Sequence, residues 1–178
     1  MTWYQDQITN NNYLSPIGFK FILKKFPRAA YLCQSANIPG ITLGTPTQPT
    51  PFKPIPLDGN LTYNNFTITF LVDENLENYL ELHNWMRALG VPDSFPERRQ
   101  FETENTELKR VQKFTDGTLQ VLNNNLNANF NVVFKDMFPT DLTTLQFDCT
   151  EGENRFFTAE VTFSYSIYEI QNLKGERR

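Results

Sequence analysis

The stretch NFTITFLVDENLENYLELHNWMRALG, residues 65–90, changes its hydrophobic period halfway along. Phe66, Ile68 and Phe70 alternate with Thr67 and Thr69. That is period two, the pattern of a strand with one face buried. Asp73-Glu74-Asn75 interrupts it. Asp73 or Asn75 can accept from the free amides of a helical first turn, and Glu74 and Glu77 suit the positive end of its dipole. Leu76, Tyr79, Leu80, Trp85, Met86 and Leu89 then recur at helical spacing. The spacing predicts a helix over 76–89, stopped by Gly90 and Pro92. A strand that hands over to a single helix is the frame on which the rest is placed.

Working outward, the pattern is mostly strand. Phe19, Phe21 and Leu23 alternate with lysines and Ile22 until Pro27, and residues 30–37 form a second strand before the Pro39-Gly40 turn. Residues 45–57, TPTQPTPFKPIPL, hold five prolines in thirteen positions. Each lacks a backbone donor, so neither a helix nor a central strand forms there. The expectation is a stiff extended loop. It is either a surface linker or an interaction arm anchored by Phe52 and Ile55. Residues 93–117 are polar, with both signs of charge mixed, and read as an excursion. Strands resume at 118–122 and 129–135, then through Leu145 and Phe147. The last strand is expected to run unbroken from Phe157 to Ile167. Ala159, Val161, Phe163, Tyr165 and Ile167 lie on one face of it, and Glu160, Thr162, Ser164 and Ser166 on the other. The fold class is therefore mainly β: an antiparallel sandwich or barrel of about seven strands with one inserted helix. Residues 1–15 read as an N-terminal arm, 16–170 as the domain and 171–178 as a polar tail. The expected core is Phe66, Ile68, Phe70, Trp85, Phe134, Leu142, Val161 and Phe163.

The chemistry is sparse. The 178 residues include one histidine and two cysteines, and net charge is −4. An acidic chain does not grip phosphates, so sequence-specific nucleic-acid binding is not expected. Cys33 and Cys149 have no CxxC partner and read as free thiols. His83 lies mid-helix and reads as a packed or interfacial imidazole. Neither GxSxG nor a Gly-rich phosphate loop is present. Residues 134–149, FKDMFPTDLTTLQFDC, gather Asp136, Asp141 and Asp148 around a Phe-Pro pair, without the spacing of a calcium loop. They read as a strand end, a turn at Pro139-Thr140-Asp141, and Leu142 and Leu145 closing the core. No catalytic residue, metal or cofactor is expected. The N-terminus lacks the layout of a secretory signal, and no apolar run has membrane-spanning length.

Taken in order, the segments PIGFKF (16–21), YLCQSANIPG (31–40), GNLTYNNFTITFLVDE (59–74), HNWM (83–86), FKDMFPTDL (134–142) and TAEVTFSY (158–165) resemble the tail-tube superfamily of contractile-tailed bacteriophages. The resemblance covers about residues 13–168. It implies hexameric rings whose sheets join into one β-barrel around a channel, with rings stacked into a tube. The implied setting is a virion tail assembled in the host cytoplasm. The implied partners are further copies, other tail-tube proteins, baseplate and sheath proteins, and genomic DNA that passes without specific binding; membrane insertion is not implied. On this reading Thr67, Thr69, Glu160, Thr162, Ser164 and Ser166 are candidates to line the lumen. Phe52, Pro54, Ile55, Trp3 and Tyr4 are candidates for contacts between subunits or rings. The place in the tail stays open between main tube, baseplate-proximal initiator, and neck or tail-completion protein. The competing class is a non-catalytic β-sandwich binding module, which would present Trp3, Tyr4 and Phe101.

Overall fold

The computed structural model describes residues 12–23, 30, 32–90, 114–147 and 156–177. Alternating side chains build the strands of its main sheet. These are β1 (Phe19–Leu23), β2 (Cys33–Ala36), β7 (Phe66–Leu71), β8 (Thr115–Leu122), β9 (Ala128–Leu142), β10 (Thr158–Ser164) and β11 (Ile167–Asn172). They are hydrogen-bonded in the order β1-β8-β9-β10-β7-β2, and β11 also lies on β9. Every pairing is antiparallel. Among the described residues the fold is thus mainly β, with a main sheet of seven antiparallel strands beside the helix α1 (Glu77–Gly90).

β9 divides this array in two. Its first part pairs with β11 on one side, up to Lys135, and with β8 on the other, where the ladder reaches Met137 across a bulge. Its last part, Phe138–Leu142, pairs with β10. Between them Asp136 takes a left-handed φ of 56°, a conformation that Asp tolerates better than most residues. Its amide donates to Asp116 Oδ1 at 3.3 Å, and its Oδ2 accepts from Ser166 Oγ at 3.2 Å. The Pro139-Thr140-Asp141 turn expected from the sequence is therefore not a turn. The strand continues through it, and Pro139 sits opposite Phe163 beside a bulge, where a missing donor is tolerated.

The strand expected over 157–167 is likewise two strands. β10 stays with β7 and β9; the chain crosses at Tyr165-Ser166 to the other side of the joint, and β11 pairs with the first part of β9. The alternation of side chains runs on across the crossing, so periodicity gives no sign of it. β11 extends to Asn172, inside the segment read as tail, and β8 begins at Thr115, inside the segment read as polar insert. The strand expected through Leu145 and Phe147 is absent; residues 143–147 are irregular.

The two halves close on an aromatic core. Phe66 lies 4.4 Å from Phe134 and 5.3 Å from Phe21, centroid to centroid, and Trp85 of α1 reaches Phe163 at 6.2 Å. Ile68, Phe70 and Val161 are buried with them. Leu142 is only half-buried. Beyond the joint, β9 leaves the centre and Leu142 packs at its margin. α1 buries a narrower stripe than its spacing suggests: Leu82 and Trp85 are inside, whereas Leu80 is exposed.

The junction between β7 and α1 is held by a residue that periodicity does not single out. Leu76 has a left-handed φ of 59°, and its amide donates to Asp73 O at 2.8 Å. Neither Asp73 nor Asn75 supplies the side chain that ties the turn. Asn78 does, although it is almost fully buried. Its Nδ2 donates to Leu71 O at 2.7 Å, and its Oδ1 accepts from the amides of Asp73 (3.2 Å) and Tyr79 (2.9 Å). Removing a partner from buried polar groups costs about 1–3 kcal/mol. Asn78→Ala is expected to lower unfolding stability in urea by at least that range, and a midpoint equal to the parent's would refute the assignment.

Candidate assembly surfaces

Three surfaces are built from these elements. The first is an arm. Residues 41–63 form a two-stranded hairpin in which β3 (Ile41–Leu43) pairs with β6 (Leu61–Tyr63), and β4 (Thr47–Gln48) pairs with β5 (Ile55–Pro56). Backbone bonds from Gly44 N to Asn60 O (2.9 Å), Gly59 N to Gly44 O (2.7 Å) and Leu57 N to Pro46 O (2.8 Å) join the two rungs. The segment 45–57, expected as an extended loop, is therefore the outer part of a hairpin. Its prolines fit because a two-stranded ribbon has two outward edges that need no donor. At the tip, Thr50 Oγ1 donates to Lys53 O at 2.6 Å. Phe52 is 100% exposed, and Pro54 and Ile55 are exposed beside it. The register puts Ile41, Leu43 and Leu61 on one face of the shaft with Tyr63, and Thr42 and Thr62 on the other. The three aliphatic residues are each about half exposed. Trp3 and Tyr4 lie outside the described residues.

The second surface is the outward face of β7 and β10. Thr67 stands opposite Thr162, and Thr69 opposite Glu160, with Ser164 further along the same face. Glu160 is the only charge among these five. Thr140 Oγ1 donates to Thr162 O at 3.1 Å, and Glu160 N donates to Thr143 Oγ1 at 2.8 Å, which extends the hydroxyl-rich strip onto the end of β9. Ser166, the sixth lumen candidate, is not part of it; it sits at the joint, bonded to Asp136.

The third is the outward face of β1, β8, the first part of β9, and β11. It carries Lys20, Gln120, Asn131, Lys135, Glu169 and Gln171. Lys135 Nζ meets Glu169 Oε1 at 3.0 Å, and Gln120 Nε2 donates to Asn131 Oδ1 at 3.3 Å. The hydrogen bond from Lys135, with a second from Gln171, holds the Glu169 carboxyl below the usual carboxylate range.

The reactive residue types are dispersed. Among the described residues, no three His, Cys, Asp or Glu side chains lie close enough to hold a metal ion. Asp136 is engaged at the joint, Asp141 is exposed on β9, and Asp148 lies outside the described residues. Cys33 is a free thiol whose Sγ donates to Ser35 O at 3.3 Å. Burial pushes its pKa up to about 11, which keeps it a poor nucleophile. Cys149 lies outside the described residues. His83 borders an apolar groove of about 380 Å³ with Tyr79, Met86, Arg87, Gly90 and Leu142. Its Nδ1 is buried and has no hydrogen-bond partner. Nothing in that lining supplies a nucleophile beside a base.

Sequence reasoning placed Phe52, Pro54 and Ile55 together but missed the hairpin that carries them. The signal was present in two short alternations, Ile41-Thr42-Leu43 and Leu61-Thr62-Tyr63, on either side of the proline-rich segment. Each is only three residues long.

The profile of the phage tail tube protein family matches residues 9–171. Among curated proteins, none matches the chain in sequence. Solved structures share the fold. A chain of the anti-feeding prophage tube-terminating cap superposes with a TM-score of 0.60 at 17% identity, covering 97% of this chain and 99% of its own. A chain of the sheath-tube complex of an extracellular contractile injection system, in its extended state, gives 0.57 at 16%, with coverage of 97% and 99%. The sheath/tube terminator of the same kind of system gives 0.57 at 17%, covering 91% and 99%.

The arm can be disturbed without touching the core. A Cβ on Gly59 would lie 2.7 Å from Gly44 O and from Pro46 Cδ, so one strand would have to shift. Gly59→Val is expected to speed amide exchange at Gly44 and Leu57 while leaving that of β7 and β10 unchanged. Equal exchange in the arm would show that the hairpin tolerates the side chain.

Proposed function

Since the chain belongs to the phage tail tube protein family, we propose that it is a non-catalytic structural protein of the virion tail. Its copies close into a hexameric ring that forms part of the tail tube or its baseplate-proximal start. The tube is a conduit for DNA during ejection. The observation that carries this reading is the pairing of two surfaces on one subunit: a hydroxyl-rich sheet face whose charges are the carboxylates of Glu160 and, opposite Thr162, Asp141, and a preformed apolar arm. The first suits a lumen. Counterion release would make a lysine-rich wall hold phosphates, whereas threonine, serine and glutamate let them slide. The second suits a contact with the next ring, with Phe52, Pro54 and Ile55 as its tip. β2 pairs with β7 alone, and β11 pairs only with β9 and with Arg177, among the described residues. Open edges of this kind invite pairing between subunits, and ring closure removes them. The partners on this reading are further copies, other tube and baseplate proteins, and sheath. DNA passes without sequence recognition, the protein does not insert into a membrane, and assembly takes place in the host cytoplasm.

A second placement has an observation of its own. The likeness to the tube-terminating cap and to the sheath/tube terminator, as strong as that to the sheath-tube complex, supports a ring that ends the tube at its neck as the alternative to one that repeats along it. A repeating subunit polymerises by itself; a terminator forms single rings and adds to an existing tube end.

Negative-stain microscopy of the purified protein, with its mass measured in solution, tests both. Annular particles of six copies are expected, with tubes for the repeating subunit and lone rings for the terminator. A strict monomer that also fails to add to a preformed tube end would overturn the ring reading. Deleting residues 46–56, which lie beyond the β3–β6 rung, is expected to spare folding and prevent stacking.

The lumen assignment has its own test. Thr67→Lys with Thr69→Lys would place twelve added charges around a ring of six. Assembled particles of this variant are expected to retain duplex DNA at low salt and to lose it steeply as salt rises. Particles that ignore DNA at every salt concentration would move the lumen to another face.

A further inference from the structure

The arm poses a physical problem. A two-stranded ribbon with no third strand is at best marginally stable in water. This one also exposes Ile41, Leu43 and Leu61. Its order must therefore come from where it joins the body. Both of its strands are tied there by residues about a hundred positions further along the chain. Tyr165 Oη donates to Asn64 O at 2.7 Å, on the strand that leaves the arm. Tyr168 Oη donates to Pro39 O at 3.2 Å, on the strand that enters it. Between the two anchors, Asn64 N donates to Gly40 O at 3.0 Å and closes the lowest rung. The rings reinforce the bonds. Tyr63, the last residue of the shaft, lies 5.5 Å from Tyr168 and 6.1 Å from Tyr165, and both of these pack on Phe134 in the core, at 5.9 and 5.1 Å.

The position of this cluster is significant. Tyr165 begins the crossing from β10 to β11, and Tyr168 is the second residue of β11. The next residue after Tyr165 is Ser166, whose side chain and amide bond Asp136 and Lys135 at the joint of β9. The root of the arm and the joint between the two sheets are thus one continuous structure.

We infer that Tyr165 and Tyr168 are positioning residues: their hydroxyls hold both strands of the hairpin at its root, so that the arm is ordered and aimed in the free subunit before any neighbour binds it. Ordering a flexible segment is a cost of association, and an arm fixed beforehand avoids it. Burial holds the pKa of the Tyr165 hydroxyl up to about 12, so it remains a donor at any working pH. The order of the free arm stands on the geometry alone; its effect on assembly rests on the stacking role proposed above.

The test uses Tyr165→Phe with Tyr168→Phe, which keeps both rings and removes only the two hydroxyls. Tyr13→Phe, at an exposed position, serves as control. Amide exchange is measured on the free subunit, below the concentration at which it assembles. Exchange at Gly44, Leu57 and Gly59 is expected to speed up about tenfold or more, since each lost hydrogen bond is worth about a factor of ten, while exchange in β7 and β10 stays at the parent rate. The critical concentration for assembly is expected to rise by a similar factor. Unchanged exchange in the arm would overturn the inference, as would an equal acceleration throughout the sheets. Faster exchange in the arm with an unchanged critical concentration would uphold the clamp and refute the arm's part in stacking.

Discussion

At Asp136 the backbone of β9 turns left-handed, and a strand of fifteen residues changes partners. Before this point it is the centre of a β1-β8-β9-β11 array, and β8 follows it as far as Met137; from Phe138 on, β9 is bonded to β10 and through β10 to β7 and β2. The two arrays can then face each other across Phe21, Phe66, Phe134 and Phe163. A straight β9 would keep all seven strands in one continuous sheet with no enclosed core. The joint is held by polar groups, Asp116 and Ser166 on Asp136, rather than by burial. This gives the acidic residue in the middle of the strand a structural task.

The joint also organises the outside of the molecule. Because the chain crosses from β10 to β11 beside it, two tyrosines on the crossing come to rest against the root of the arm. The core, the sheet joint and the arm share one set of aromatic rings, from Phe66 through Phe134 to Tyr165, Tyr168 and Tyr63. The root of the arm is therefore continuous with the aromatic core. Among the described residues, β2 keeps one unpaired edge and β11 one edge bridged only to Arg177, and aliphatic side chains stay half-exposed along the arm; both features carry a cost in an isolated chain.

Much of this was legible in the sequence. Period two at Phe66–Phe70 and Ala159–Phe163 fixed which side chains face inward, because alternate residues of a strand must point to opposite faces. The change of period after Val72 fixed the one helix to within a residue at each end. Seven of the eight residues read as core are buried, since large apolar side chains in regular alternation have little alternative. The tip residues Phe52, Pro54 and Ile55 were legible as a group because prolines exclude other structures.

What the sequence did not show is which strand lies beside which. Periodicity reports the face of a residue and says nothing of its neighbour across the ladder, so the splitting of 157–167 between two partners and the passage of β9 through Pro139 were invisible. The hairpin in 41–63 was missed because its rungs are two and three residues long, too short to show a period. Asn78 was missed because a buried amide in a helix reads as a polar position until the carbonyl it satisfies is in place. Ser166 was grouped with Thr162 and Ser164 for the same reason: its alternation continues theirs, and only its bond to Asp136 puts it at the joint. The inward and outward faces were determined locally, by the chain's own alternation. The partners, the kink and the aim of the arm depended on contacts between residues thirty to a hundred and thirty positions apart, and those exist only once the tertiary structure has formed.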